Sequence, residues 1–289
     1  HYSLPPLHRW DLAEVLALID QEKYFLLHAP RQTGKTSCLL ALMEHLNREG
    51  RYRALYANIE GAQAARENVD EGMATICSVL GRSARLYLHD PRLADWYRDG
   101  GGAMPAGDRL AQLLEFWAAA DPRPAVLLLD EVDALVGDTL IAVLRQLRAG
   151  YNQRPAHFPQ TVILCGVRDL RDYRIHSRAE AAIITGGSAF NIRAKSLRLG
   201  DFSAAEVVAL LQEHTTETGQ VFTPEALDRV WELTQGQPWL VNALAYQACF
   251  RLPEGRDRSL PITAALIDQA KERLIVNRVT HLDQLADKL

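Results

Sequence analysis

Short apolar runs and helical patterns alternate through roughly the first 200 residues of this chain. "YFLLHA" reads as a buried strand. The amphipathic "TSCLLALMEHLNREG" follows as a helix, closed by Gly50 as its C-cap. "RYRALYANI" alternates as a strand does, and a helix is expected near 62–80. The glycine-rich "RDGGGAMPAGD" predicts a mobile loop. Then come a helix in "RLAQLLEFWAAA", a strand in "AVLLLDE", a helix in "DTLIAVLRQLRAGY", and strands in "TVILCGV" and "FNIRAKSLRLG". Apolar strands alternating with helices predict a parallel sheet with helices on both faces, an α/β core.

The texture changes after "GDFS". "SAAEVVALLQEHTTETG", "TPEALDRVWELTQG", "QPWLVNALAYQACF" and "ITAALIDQAKERLIV" all read as helices, most opening at Ser, Thr or Pro. The expected organisation is an α/β core over 1–200 and an all-helical lid over 201–289, with room at its end for the start of a winged-helix-like region.

Composition narrows the class without naming a function. With 289 residues, 48% hydrophobic and 24% charged, the chain can bury a substantial core. A net charge of −4 gives no general attraction for nucleic acid or an acidic membrane. Cys38, Cys77, Cys165 and Cys249 stand apart in apolar surroundings, as reduced core residues of a cytoplasmic protein do. No apolar run has a membrane helix's length, and "HYSLPPLHRW" lacks the regions of a signal peptide. The chain opens on His rather than Met, which leaves room for flanking domains.

Between the first strand and its helix lies "APRQTGKTS". It matches the phosphate-loop pattern G-x-x-x-x-G-K-[ST] except at its first position, where Ala29 replaces glycine. The candidate binding residues are Pro30, Arg31, Gln32, Thr33, Gly34, Lys35, Thr36 and Ser37. Gly34 lets backbone N–H groups turn toward phosphate oxygens, and Lys35 brings a positive charge to the β- and γ-phosphates. The Thr36 hydroxyl is placed for Mg²⁺, and the helix dipole adds to the attraction. Ala29 is small enough to start such a loop, although it excludes a left-handed backbone there at low cost.

A phosphate loop of this kind needs a carboxylate for its metal, at the end of a neighbouring strand. In "AVLLLDEVDAL" the apolar run ends at Asp130, suited to hold Mg²⁺ through its water shell. Glu131 follows directly and suits a base that orients or deprotonates an attacking water. Asp133 reads as a cap or surface residue. A small-molecule kinase has little use for activated water, so the pair favours nucleotide hydrolysis.

Taken together, these motifs resemble the P-loop NTPases of the AAA+ and STAND branches, including bacterial AAA-like ATP-binding proteins and origin-recognition ATPases. The resemblance implies an ATP/ADP site with Mg²⁺, slow hydrolysis and a nucleotide-controlled switch. It further implies that Arg168, at the end of "TVILCGV", senses the γ-phosphate. It also implies that Pro238 of Gly236-Gln237-Pro238 approaches the nucleotide from the lid. Both features also read locally, Arg168 as part of a solvated charge run and Gly236–Pro238 as a helix C-cap with its stop. Arg171, Arg174, Arg178 and Arg193 are candidate arginine fingers, and Pro5, Pro6 and Leu7 candidates for cradling adenine. The implied partner is a protein or a second copy of the chain. A nucleic-acid-linked loader of the transposition or replication type, and a scaffold without turnover, are the alternative readings.

Overall fold

The computed structural model of the protein describes residues 3–167, 174–177, 182–185 and 193–276. The chain divides into two compact units. One comprises Trp10–Arg31 and Lys35–Leu199; the other comprises the residues up to Arg9, Gln32–Gly34 and the chain from Gly200 onward.

The first unit carries a five-stranded parallel sheet. Its strands are β1 (Tyr24–His28), β2 (Arg53–Asn58), β3 (Ala125–Asp130), β4 (Thr161–Gly166) and β7 (Arg193–Arg198), in the order β2-β3-β4-β1-β7. Parallel neighbours require crossovers, and helices supply them. The helix α1 (Leu12–Asp20) precedes β1, and α2 (Lys35–Glu49) joins β1 to β2. Then α3 (Val69–Leu88), α4 (Arg92–Arg98) and α5 (Ala106–Ala119) lead to β3, and α6 (Gly137–Ala149) leads to β4. Because helices cover the sheet, β3 and β4 are buried along their whole length. This explains why they read as continuous apolar runs rather than alternating ones. The α/β class expected from the pattern is the class observed, and β4 lies between β1 and β3.

Helix boundaries follow local chemistry. The Asp11 side chain caps α1 by accepting from the Glu14 N–H at 3.0 Å. Gly50, at φ +77°, closes α2 and donates to the Leu46 carbonyl. Two stretches depart from the pattern reading. Instead of one helix near 62–80, a 3₁₀ turn at Glu60–Ala65 is separated from α3 by Arg66, at φ 48°. The glycine-rich stretch after Tyr97 contains a packed 3₁₀ turn, Gly101–Ala103, rather than an open loop. A Cβ on the buried Gly101 would stand 2.3 Å from the Trp96 ring. The glycine is there to let the indole approach. Between β4 and β7 lies an antiparallel pair, β5 (Arg174–Ser177) and β6 (Ala182–Thr185), in a stretch where the sequence pattern predicted no strand.

The second unit is helical: α7 (Ala204–Thr218), α8 (Pro224–Thr234), α9 (Pro238–Tyr246) and α10 (Ala264–Val276), with a π-helical turn at Gln247–Arg251 and a single α-helical turn at Pro253–Arg256 between the last two. A capping box of Ser203 and Glu206 opens α7. Thr223 caps α8, and the Gln237 side chain caps α9. The core includes Val207, Leu211, Val230, Val241, Leu244 and Ile267. The chain end, proposed from sequence as the start of a winged-helix-like region, lies outside the described residues. All four cysteines are free and buried. Among the described residues no helix is long and apolar enough to cross a membrane.

Leu127 lies mid-strand in β3, wholly buried in the core of the α/β unit. Leu127→Ala should cost about 2–5 kcal/mol, transfer and cavity contributions together. Chemical denaturation monitored by circular dichroism should show the lower midpoint, and an unchanged midpoint would contradict this packing.

Candidate nucleotide site

The loop after β1 begins in the sheet. Ala29 is wholly buried and its N–H donates to the Gly166 carbonyl of β4 at 3.2 Å. Its backbone is not among the positive-φ positions of the chain, so alanine carries no strain where the common pattern has glycine. The left-handed turns fall later, at Gln32 (φ 62°) and Gly34 (φ 88°). Successive N–H groups turned by such conformations form an anion-binding concavity. Lys35 begins α2 and is 5% exposed, and its Nζ donates to the Ala29 and Pro30 carbonyls at 2.9 and 3.0 Å. The buried amine is thus held by the carbonyls that open the loop. Thr33 is buried, whereas Arg31, Thr36 and Ser37 are exposed.

The acidic end of the site is built on β3. Asp130 is wholly buried, and the Thr36 hydroxyl donates to its Oδ2 at 2.6 Å. The Tyr56 hydroxyl, from β2, donates to the same oxygen at 3.0 Å, and the Glu131 N–H donates to Oδ1 at 2.9 Å. Burial, reinforced by the charge of Asp130, pushes the Tyr56 phenol well above its ordinary range, so it remains a donor. Glu131 stands in a left-handed conformation at the strand end (φ 58°, ψ 39°). Burial raises its carboxyl pKa, the charges of Asp130 and Asp133 raise it further, and Lys35 opposes them. A more basic carboxylate is a better proton acceptor. Asp133 is not an open surface residue, because its Oδ1 is buried without a hydrogen-bond partner and close to Gly166.

The α/β unit therefore brings Lys35, Thr36, Asp130 and Glu131 into one electrostatic neighbourhood. Their chemistry fits a nucleotide with Mg²⁺: a turned backbone and a cation for phosphate, and a hydroxyl beside a carboxylate as hard oxygen donors. Pro238 lies in the helical unit as the first residue of α9, following Gly236 at φ 77°. Arg168, Arg171 and Arg178 lie outside the described residues. Arg174 and Arg193 begin strands β5 and β7. Of the adenine candidates, Pro6 and Leu7 lie in a 3₁₀ turn that runs to Arg9.

Sequence reading missed three neighbours of the loop and its carboxylate. Tyr56 occupies one position of an alternating strand, and only the β2–β3 pairing, Asn58 opposite Asp130, brings it within reach. Cys165 faces Asp130 from β4, its thiol pKa driven well up by burial and by that carboxylate. Arg9 donates through Nη1 to the Thr33 carbonyl, and its contact with the loop has no sequence motif.

Comparison with solved structures finds several chains of similar fold. A Walker-type ATPase of Pyrococcus abyssi superposes with a TM-score of 0.56 at 15% identity, over 98% of this chain and 75% of that one. The RuvB Holliday junction branch migration motor of Thermotoga maritima gives 0.50 at 11% identity, over 91% of this chain and 66% of that one. A DNA replication initiation factor gives 0.48 at 14% identity, over 86% of this chain. The chain spans less than two thirds of the length of that factor, 64%. No curated protein matches the chain significantly by sequence. The family model of the AAA-like domain matches residues 17–254, covering the phosphate loop, the Asp130–Glu131 pair and Pro238. The chain belongs to the AAA-like domain family, with the fold of the P-loop ATPases.

Proposed function

We propose that the protein is a Mg²⁺-dependent ATPase whose bound nucleotide controls the arrangement of its helical unit. The observation that carries this reading is the 2.6 Å contact between the Thr36 hydroxyl and the buried Asp130 carboxylate, with Glu131 next in the chain. Hydroxyl and carboxylate would hold Mg²⁺, which when bound neutralises phosphate charge. Thr33–Thr36 would orient the phosphates through backbone N–H groups, and Lys35 would turn its amine from the loop carbonyls toward them. Glu131 would take the proton of the attacking water, and Asp130, fixed by Tyr56, would keep Thr36 in register. Pro238 would report the nucleotide to the helical unit, and Arg168 would contact the γ-phosphate. Such a switch needs ATP and ADP to differ in affinity for the two arrangements. A partner protein or a second copy of the chain would speed a slow intrinsic turnover. ATP binding would take place in the cytoplasm. The RuvB motor shares the fold at 11% identity, which shows the fold alone, and a net charge of −4 lends a nucleic-acid partner no support.

Lys35→Ala removes the main cationic partner of the phosphates. A hydrogen bond to a charged group contributes about 1.5–3 kcal/mol, roughly a 10- to 100-fold loss of ATP affinity. Calorimetric titration should show at least that loss, and unchanged affinity would place the site elsewhere.

Glu131→Gln keeps the shape and removes the base. ATP should bind as in the wild type, while turnover measured by phosphate release falls about 10²-fold or more. Turnover at the wild-type rate would assign the base to another group.

A further inference from the structure

Arg9 stands outside every motif of the sequence, yet its side chain contacts the phosphate loop at Thr33, next to Gly34. Its Nη1 donates to the Thr33 carbonyl, and its Nη2 donates to the Gly200 carbonyl at 2.6 Å. The guanidinium lies over the Phe202 ring, 4.5 Å from the centroid. Phe202 in turn donates its N–H to the Gly236 carbonyl at 2.8 Å. Gly236 has no room for a side chain: a Cβ there would stand 1.9 Å from the Phe202 carbonyl oxygen. Loop tip, Arg9, the 200–202 segment and the turn before Pro238 are thus one chain of contacts within a single compact unit.

The loop end of this chain has a direct chemical consequence. A trans peptide is planar, so the carbonyl of Thr33 and the N–H of Gly34 point in opposite directions. A cation that grips the carbonyl from one side therefore aims the N–H to the other. Gly34 has the freedom of glycine at φ 88°, and a Cβ on it would stand 3.0 Å from Arg9 Nη1. The guanidinium thus grips the peptide that leads into this glycine. A lysine could not reproduce this, because only the planar fork presents two N–H groups to two carbonyls at fixed geometry.

We propose that Arg9 is a positioning residue for nucleotide: it aims the Gly34 N–H toward the phosphates, and it transmits the state of the loop through Gly200 and Phe202 to Gly236–Pro238. The proposal rests on the nucleotide-site reading above and adds to it a positioning residue for the loop and a path from the loop to Gly236–Pro238. Phosphate drawn to the loop rotates or stiffens the 33–34 peptide. The Thr33 carbonyl then shifts against Arg9, and the second arm of the fork carries the shift to the 200–202 segment.

Calorimetry and amide hydrogen exchange on the full chain test this, using ATP with Mg²⁺ and the variants Arg9→Ala, Arg9→Lys and Lys35→Ala. Arg9→Ala should lose about tenfold or more in ATP affinity, as expected for a charge-assisted hydrogen bond that orients a binding group. Arg9→Lys, which keeps the charge and loses the fork, should stay near the alanine variant. At saturating ATP, exchange across residues 234–240 should slow in the wild type and not in Arg9→Ala. Three results overturn the proposal: wild-type affinity in Arg9→Ala, full rescue by Arg9→Lys, or no ATP effect on 234–240 exchange in the wild type. If Arg9→Ala does not fold, the wild-type exchange and the lysine variant decide. Wild-type ATP binding abolished by Lys35→Ala but untouched by Arg9→Ala would sink this proposal alone. A wild type that binds no ATP would remove the nucleotide-site reading as well.

Discussion

A carboxylate with no access to water has to be satisfied by the protein, and the site is organised around that requirement at Asp130. An ionised group taken out of water is costly unless hydrogen-bonded or paired. Asp130 is wholly buried and receives donors from three places: the Thr36 hydroxyl on α2, the Tyr56 hydroxyl on β2 and the Glu131 N–H beside it. Each donor is delivered by the parallel sheet. Pairing of β2 with β3 puts Asn58 opposite Asp130, which brings Tyr56 alongside, and α2 grows from the loop that leaves β1. A change in the register of any of these elements would leave the carboxylate short of a partner. The fold and the site therefore constrain one another through a single side chain.

That constraint also separates the roles of two adjacent acids. Asp130 gives both oxygens to fixed donors and is suited to hold position. Glu131 has turned into a left-handed conformation, and burial together with the Asp130 charge raises its proton affinity. The two neighbouring carboxyls therefore differ in environment, one fixed by donors and the other with a raised proton affinity. On the other side of the loop, residues Gln32–Gly34 belong to the helical unit and Lys35 to the α/β unit.

Much of this was legible in the sequence because it depends on local chemistry. Continuous apolar runs declared buried parallel strands, and Gly34-Lys35-Thr36 at a strand-to-helix junction declared the loop. The Ala29 departure from the usual pattern is explained by the backbone: the left-handed positions are Gln32 and Gly34, not the first residue. What was not legible depends on distant pairing. The Tyr56 contact requires the β2–β3 register, and the Arg9 contact joins residues 24 positions apart in sequence. The glycine-rich stretch at 100–102 looked open because glycine frees the backbone; here Gly101 also makes room for the Trp96 ring. The β5–β6 strands, of four residues each, are too short to give a clear pattern.

The central claim is that the Thr36–Asp130 pair is a metal site serving bound ATP. Titration of ATP into wild-type protein and Asp130→Asn, each with and without Mg²⁺, tests it most directly. The account predicts that Mg²⁺ strengthens ATP binding by the wild type and that this enhancement is largely lost in Asp130→Asn, while metal-free binding changes little. An equal enhancement in both proteins would contradict it.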